Sequence, residues 1–208
     1  LQWTLARPNS AFRDEVVEVD EVNQKGEVIR RKELMELPAV VDDETMPKES
    51  WLVDFCRAER QQGRKVLIYL RQTGTRDIQD RILKILRDGG VRAEVLSSGV
   101  NPRKREEWIA RRVIGLDALV VNPKLVATGL DLIAFSSVVF LEIEYSLYVL
   151  WQSLRRVWRL GQTKPVKAIF SVYNDTMESR ALALIGAKMK AAQLLYGDNV
   201  GGAIVPEE

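Results

Sequence analysis

"KVLIYLRQTGTRDIQDRILKILRDGG", residues 65–90, changes its period halfway along. Val66 to Leu70 is an unbroken β-rich apolar run of the length a strand buried on both faces takes. After "TGT", Ile78, Ile82, Ile85 and Leu86 recur at helical spacing, which predicts a helix over 76–88 that stops at Gly89-Gly90. A doubly buried strand followed by an amphipathic helix is the repeating unit of a parallel sheet.

The same alternation continues on both sides. Upstream, Pro47 to Gln62 reads as a helix with Trp51, Phe55 and Ala58 on one face and a stop at Gly63. Downstream come the strand "VRAEVL" (91–96) and the helix "NPRKREEWIARR" (101–112), with Pro102 in its first turn. The strand "DALVVN" (117–122), the loop "PKLVATGLD" (123–131) and the strand "SSVVFLE" (136–142) follow. A helix over 147–160, the strand "VKAIFSV" (166–172) and a last helix from about Asp175 complete the pattern. The fold class is therefore α/β, a parallel sheet covered by helices on both faces. Ligands of such sheets bind beyond the carboxyl ends of the strands, so the loops 71–76, 97–103, 122–131 and 142–146 are the ones to watch. Before Met46-Pro47 the chain has another character. "DEVVEVDEVNQKGEVIRRKELMEL" (14–37) alternates apolar and polar residues around "NQKG" and predicts an antiparallel β-hairpin. Two units are expected, an acidic hairpin and linker over 1–46 and the α/β domain over 47–208.

Composition narrows the chemistry. The chain has no histidine, which removes Ser-His-Asp and Cys-His catalysis and leaves no plausible zinc cluster. Cys56 is the single cysteine, so no internal disulfide can form, and its apolar neighbours predict a core thiol in a reducing, cytoplasmic protein. No apolar run is long enough to span a membrane, so no membrane partner is expected. The net charge of +2 hides a segregation. Acids outnumber bases over 1–50, and bases outnumber acids by about two to one over 57–112, a footprint shared by polyanion binders and by solvated helix faces.

The segment "QSLRRVWRLGQ" (152–162) concentrates arginine among residues that should be buried. On a helix at about 100° per residue, Gln152, Arg156 and Arg159 share one face, with Arg155 beside it. Leu147, Leu150, Trp151, Leu154, Val157 and Trp158 fall on the other, which should be core. No carboxylate lies at i,i+4 within the helix. The polar face therefore suits either ordinary solvated ion pairs or a phosphate, whose oxygens match the planar guanidinium fork.

The spacing of Gln152, Arg156, Arg159, Gly161 and Gln162 closely resembles the last helicase motif of superfamily-two ATPases, best the chromatin-remodeller (sucrose-non-fermenting) branch. Other stretches resemble that family in its order: "KVLIYLRQTGTRDI" with Thr73, Gly74, Thr75 and Asp77; "VLSSGVNPRKREEWIAR"; and "ALVVNPKLVATGLDL" with Gly129, Leu130 and Asp131. The resemblance covers roughly 47–196 and implies the C-terminal RecA-like lobe of a DNA helicase or translocase, preceded here by the hairpin. It places arginine fingers on Arg156 and Arg159, and nucleotide contacts on Gln152, Gly129 and Asp131. Asp131 also reads as a turn carboxylate at the start of a strand. The resemblance further implies a nucleic-acid track along Thr73, Gly74, Arg76, Ser98, Gly99, Arg103, Lys104, Arg105, Asn122 and Lys124. "PRKRE" also reads as a solvated first helical turn.

Two departures stand out. Arg155 and Trp158 are not the residues the family usually carries there. No G-x4-G-K-[ST] loop is present, and "PAVVDDET" (38–45) only superficially resembles a magnesium-binding carboxylate motif. Half an active site is therefore expected, without ATPase activity of its own. ATP and Mg2+ would be held mainly by an N-terminal RecA-like lobe preceding Leu1, and the partners would be DNA and that lobe. A stand-alone RecA-like interaction module without turnover is the alternative. An unrelated doubly wound enzyme fits poorly, for want of histidine and of a Gly-rich loop.

Overall fold

The computed structural model describes residue 5 and residues 7–22, 28–40, 44–126 and 129–196. Strands β1 (Glu15–Val22) and β2 (Val28–Leu37) pair antiparallel, as the alternating pattern predicts, with irregular register near Glu21. The "NQKG" turn and the "VDD" of "PAVVDDET" lie outside the described residues. Helix α1 (Pro47–Gln61) then leads into β3 (Val66–Tyr69), α2 (Gln79–Asp88), β4 (Ala93–Leu96) and α3 (Arg105–Arg112). The chain continues through β5 (Ala118–Val121), the short α4 (Pro123–Val126), β6 (Ser137–Phe140), α5 (Leu147–Arg155), β7 (Lys167–Phe170) and α6 (Met177–Tyr196).

Strands β3 to β7 form one parallel sheet in the order β4-β5-β3-β6-β7. Its central strands are apolar at every position but Ser137, because both faces are covered. Val66 and Ile68 point into a core made with Leu52, Cys56, Ile82 and Leu86 of α1 and α2. Leu67 and Tyr69 point the other way, onto Ile109, Leu150 and Ile185 of α3, α5 and α6. Residues in register across β3, β6 and β7 form an aromatic ladder. Tyr69 stacks on Phe140 at 5.1 Å and Phe140 on Phe170 at 4.8 Å, each pair contributing about 0.5–1.5 kcal/mol beyond area burial.

The face of α1 differs from the expected one. Leu52, Val53, Cys56 and Glu59 are buried and Phe55 packs half-buried against that core, while Ala58 and Trp51, which stacks on Phe55, are exposed. The wheel is rotated because α1 must also meet α2. A Cβ on Gly89 would stand 2.5 Å from Val53 Cγ1, so glycine alone permits that approach. Cys56 is a buried core thiol, as expected, and burial pushes it up to about 12.

Residues before the hairpin pack on the same body. Leu5 joins the core beside α3 and α5, and Asn9 and Ser10 are buried. The Phe12 ring lies 3.9 Å beneath the guanidinium of Arg81, which also forks onto Glu49 at 2.7 and 3.1 Å.

Candidate functional site

Strand order places a topological switch point between β3 and β6. The chain leaves β3 toward β4 on one side and leaves β6 toward β7 on the other, so a crevice opens beyond their carboxyl ends. In this protein, protein groups fill that crevice. Lys48 of α1 donates to both oxygens of Glu178 of α6, at 2.9 and 2.7 Å, to Leu141 O at 3.2 Å and to Asn9 Oδ1 at 3.1 Å. Asn9 Nδ2 and the Tyr173 N–H complete the shell of the fully buried Glu178. Burial draws the Lys48 ammonium below its ordinary range, and the Glu178 carboxylate opposes that shift. Beside them, Glu142 Oε2 accepts from the N–H groups of Arg71 at 2.6 Å and Gln72 at 2.7 Å. Burial pushes Glu142 up to about 7, against the pull of those N–H groups and of the Lys48 charge.

The expected track residues gather around this plugged crevice, in the loops following β3, β4 and β5. Thr73, Gly74, Ser98, Gly99, Arg103, Lys104 and Lys124 are exposed, and Arg76 is half-buried. Gly74 has φ +65°, a turn in the left-handed region that suits glycine. Two expected contacts lie underneath rather than on the surface. Arg105 donates to Val100 O at 3.2 Å and Leu125 O at 3.1 Å, tying the 97–103 loop to α4. Asn122 donates to Arg71 O at 2.9 Å and accepts from the Lys124 N–H at 2.9 Å. Both are buried and position the loops above them. Asn101 accepts from the Arg103 N–H at 3.0 Å, which seats Arg103 and Lys104 on a single 3-10 turn.

At the opposite, amino end of the sheet lies the arginine turn. Helix α5 ends at Arg155, five residues short of expectation. The reason is tertiary. The carbonyl of Arg156 is taken by the Leu132 N–H at 3.0 Å and that of Val157 by the Gln162 side chain at 3.3 Å, so neither continues the helical ladder. Val157 is buried, but Trp158, expected in the core, is 59% exposed because helical angles no longer apply past the helix end. Gly161, at φ +99°, turns the chain, and Gln162 Nε2 reaches Ile133 O and Phe135 O, each at 3.0 Å. The turn 156–162 is thus stitched to the loop 129–135. Arg159 is exposed and Arg156 and Gln152 are half-buried. Among the described residues no carboxylate pairs with Arg155 or Arg159. Gly129, at φ +73°, and Asp131, whose Oδ1 accepts from the Ile133 N–H at 3.3 Å, are both exposed on the loop bonded to this turn.

Sequence reading missed the residues that hold these surfaces: Asn9, Lys48, Arg71, Glu142, Glu144 and Glu178. One signal was available. "LEIE" places two carboxylates directly after an apolar strand, where a solvated loop would have no reason to alternate them with Leu141 and Ile143.

A five-stranded parallel sheet with helices on both faces, and a motif turn bonded to the loop before β6, define a RecA-like lobe. The family model of the helicase conserved C-terminal domain matches residues 47–161, and the chain belongs to that family. The ATP-dependent helicase rhp16 of Schizosaccharomyces pombe is 27% identical over 113 residues, 53% of this chain and 13% of that protein. The helicase-like transcription factor CHR27 of Arabidopsis thaliana is 27% identical over 141 residues, 67% of this chain and 13% of that protein. This chain therefore spans a small part of the curated relatives it matches. The crystal structure of the C-terminal part of the Fun30 ATPase domain shares the fold. Its TM-score is 0.57 at 18% identity, covering 70% of this chain and 47% of that one. Among the described residues no helix is long and apolar enough to cross a membrane.

Proposed function

We propose that this domain is the C-terminal motor lobe of an ATP-dependent DNA translocase or helicase-like enzyme. The observation that carries the reading is the stitched turn 156–162, which presents Arg159 at an open edge where, among the described residues, no carboxylate pairs with it. A guanidinium held so by backbone bonds suits the charge that develops on a transferred phosphoryl group, an effect worth about 10³–10⁵ in rate. Arg159 takes that role with Arg156 beside it. Gly129, Asp131 and Gln152 would meet the nucleotide or the facing lobe.

ATP itself needs a second RecA-like lobe, because this chain contains no phosphate-cradling loop. Mg2+ would be held with the nucleotide's phosphates, mainly by that second lobe. Alone, the domain should not turn over ATP. DNA would cross the other rim, with Arg103, Lys104, Lys124 and Arg76 meeting phosphates, as would the amides and hydroxyls of Thr73, Gly74, Ser98 and Gly99. Arg105 and Asn122 would hold that rim in shape. Such contacts fix register without reading sequence.

The test is Arg159→Ala in the full-length protein. DNA-stimulated ATP hydrolysis should fall by about 10³ or more while DNA affinity is kept. Normal turnover in that variant would remove the finger assignment, whereas absence of DNA-stimulated turnover in the wild-type protein would favour a RecA-like interaction module.

A further inference from the structure

Arg71 is the first residue of the loop after β3, and three of its polar groups are tied to other elements. Its N–H donates to Glu142 Oε2 at 2.6 Å, its Nε to Glu144 Oε2 at 3.2 Å, and its carbonyl accepts from Asn122 at 2.9 Å. The other oxygen of Glu144 accepts from the Ser146 N–H at 2.9 Å, and Ser146 Oγ caps α5 through the Val149 N–H at 3.3 Å. One buried carboxylate therefore holds the 71–76 loop with one oxygen and the start of α5 with the other. A second tie runs from the Tyr69 hydroxyl, just before that loop, to Ser153 O at 3.2 Å, near the far end of α5. The helix spans about 13 Å at 1.5 Å per residue, and the arginine turn follows it directly.

We infer that Glu144, acting through Arg71, is a positioning residue that couples the 71–76 loop to the arginine turn. A polynucleotide seated on the loop thereby sets the attitude of α5 and of Arg156 and Arg159 beyond it. The inference rests on the motor reading above. It adds a route between two surfaces at opposite ends of the sheet, carried by one ion pair and one short rigid helix rather than by the sheet itself. The pair suits such a role because it is partly enclosed, with the Arg71 and Glu144 side chains 22% and 8% exposed. Screening by salt is weak there, yet the pair is not locked in the core.

Glu144→Gln tests this without dismantling the fold. The amide oxygen still accepts from Ser146 N–H, so the cap of α5 is retained, while the amide NH2 meets Arg71 Nε donor to donor. In the full-length protein, DNA-stimulated turnover should fall about tenfold, with DNA affinity changed by less than about twofold and the melting midpoint lowered but still above the assay temperature. Arg71→Ala should show the same split, and the double variant should be no worse than either single one, as expected of two residues acting through one contact. Wild-type stimulation in Glu144→Gln, or losses that multiply in the double variant, would overturn the coupling and leave the motor reading intact. Absence of DNA-stimulated turnover in the wild-type protein would instead overturn the motor reading, and the coupling with it.

Discussion

The two ends of the parallel sheet solve the same problem with different materials. Beyond the carboxyl ends of β3 and β6, side chains of Lys48, Glu142, Glu144 and Glu178 fill the crevice and hold the loops from below. At the amino end, the turn 156–162 is held by main-chain carbonyls and one amide side chain, with Arg156 half-buried and Arg159 on the surface. Buried charge demands complete satisfaction, so the first end can adopt only one arrangement at low cost. Backbone stitching leaves Arg159 exposed to meet something else. A lobe that must hold a track in register and offer a guanidinium to a moving partner has use for both.

Beyond Arg159→Ala, the comparison can be broken most severely at Lys48. Lys48→Met would strand the Glu178 carboxylate in the core and cost about 3–5 kcal/mol. A urea titration would show it as a lowered midpoint. A loss below about 1 kcal/mol would mean that the crevice is not locked by this pair. Gln162→Ala removes an amide that satisfies three carbonyls and should cost about 1–3 kcal/mol by the same measurement, with DNA-stimulated turnover falling as the Arg159 turn loosens. Stability loss with unchanged turnover would show that the turn needs no stitching to function.

The smallest effect sharpens rather than breaks. Glu142 titrates near 7 in the fold, above its ordinary value. The folded protein thus keeps a proton that the unfolded chain has released between about pH 4.3 and pH 7, and stability should fall as pH rises through that window. The groups facing Glu142 are Lys48 of α1, Glu178 of α6, and Arg71 and Gln72 of the loop. In Glu142→Gln this slope disappears. The variant should melt close to wild type at about pH 5 and gain on the order of 1 kcal/mol relative to it by about pH 8. Parallel pH profiles for the two proteins would show that Glu142 does not titrate there.

Much of the architecture was legible because it depends on local period. The run 66–70, the helical spacing after Ile78 and the alternation over 14–37 each predict the element that forms. Cys56 could be placed in the core from its neighbours alone. Errors arose where one element's geometry is decided by another. The core face of α1 turns toward α2, and α5 tightens into i,i−3 bonds past Arg155, where the turn is bonded to the loop before β6. The motif spacing located the arginine turn, the loop 129–131 and the loops of the other rim. It could not say that Arg105 and Asn122 lie beneath that rim, since exposure depends on what packs above.

By itself, then, the order of residues determined the alternation of strands and helices, and with it a parallel sheet. It also determined the family motifs, whose spacing is short-range and survives any packing. Only the tertiary structure decided which end of the sheet is sealed. Asn9, Lys48, Glu142 and Glu178 are scattered over 170 positions of sequence and carry no shared period. They meet because strand order brings β3 beside β6 at a switch point, and because a buried charge is tolerated only where partners from several elements converge on it.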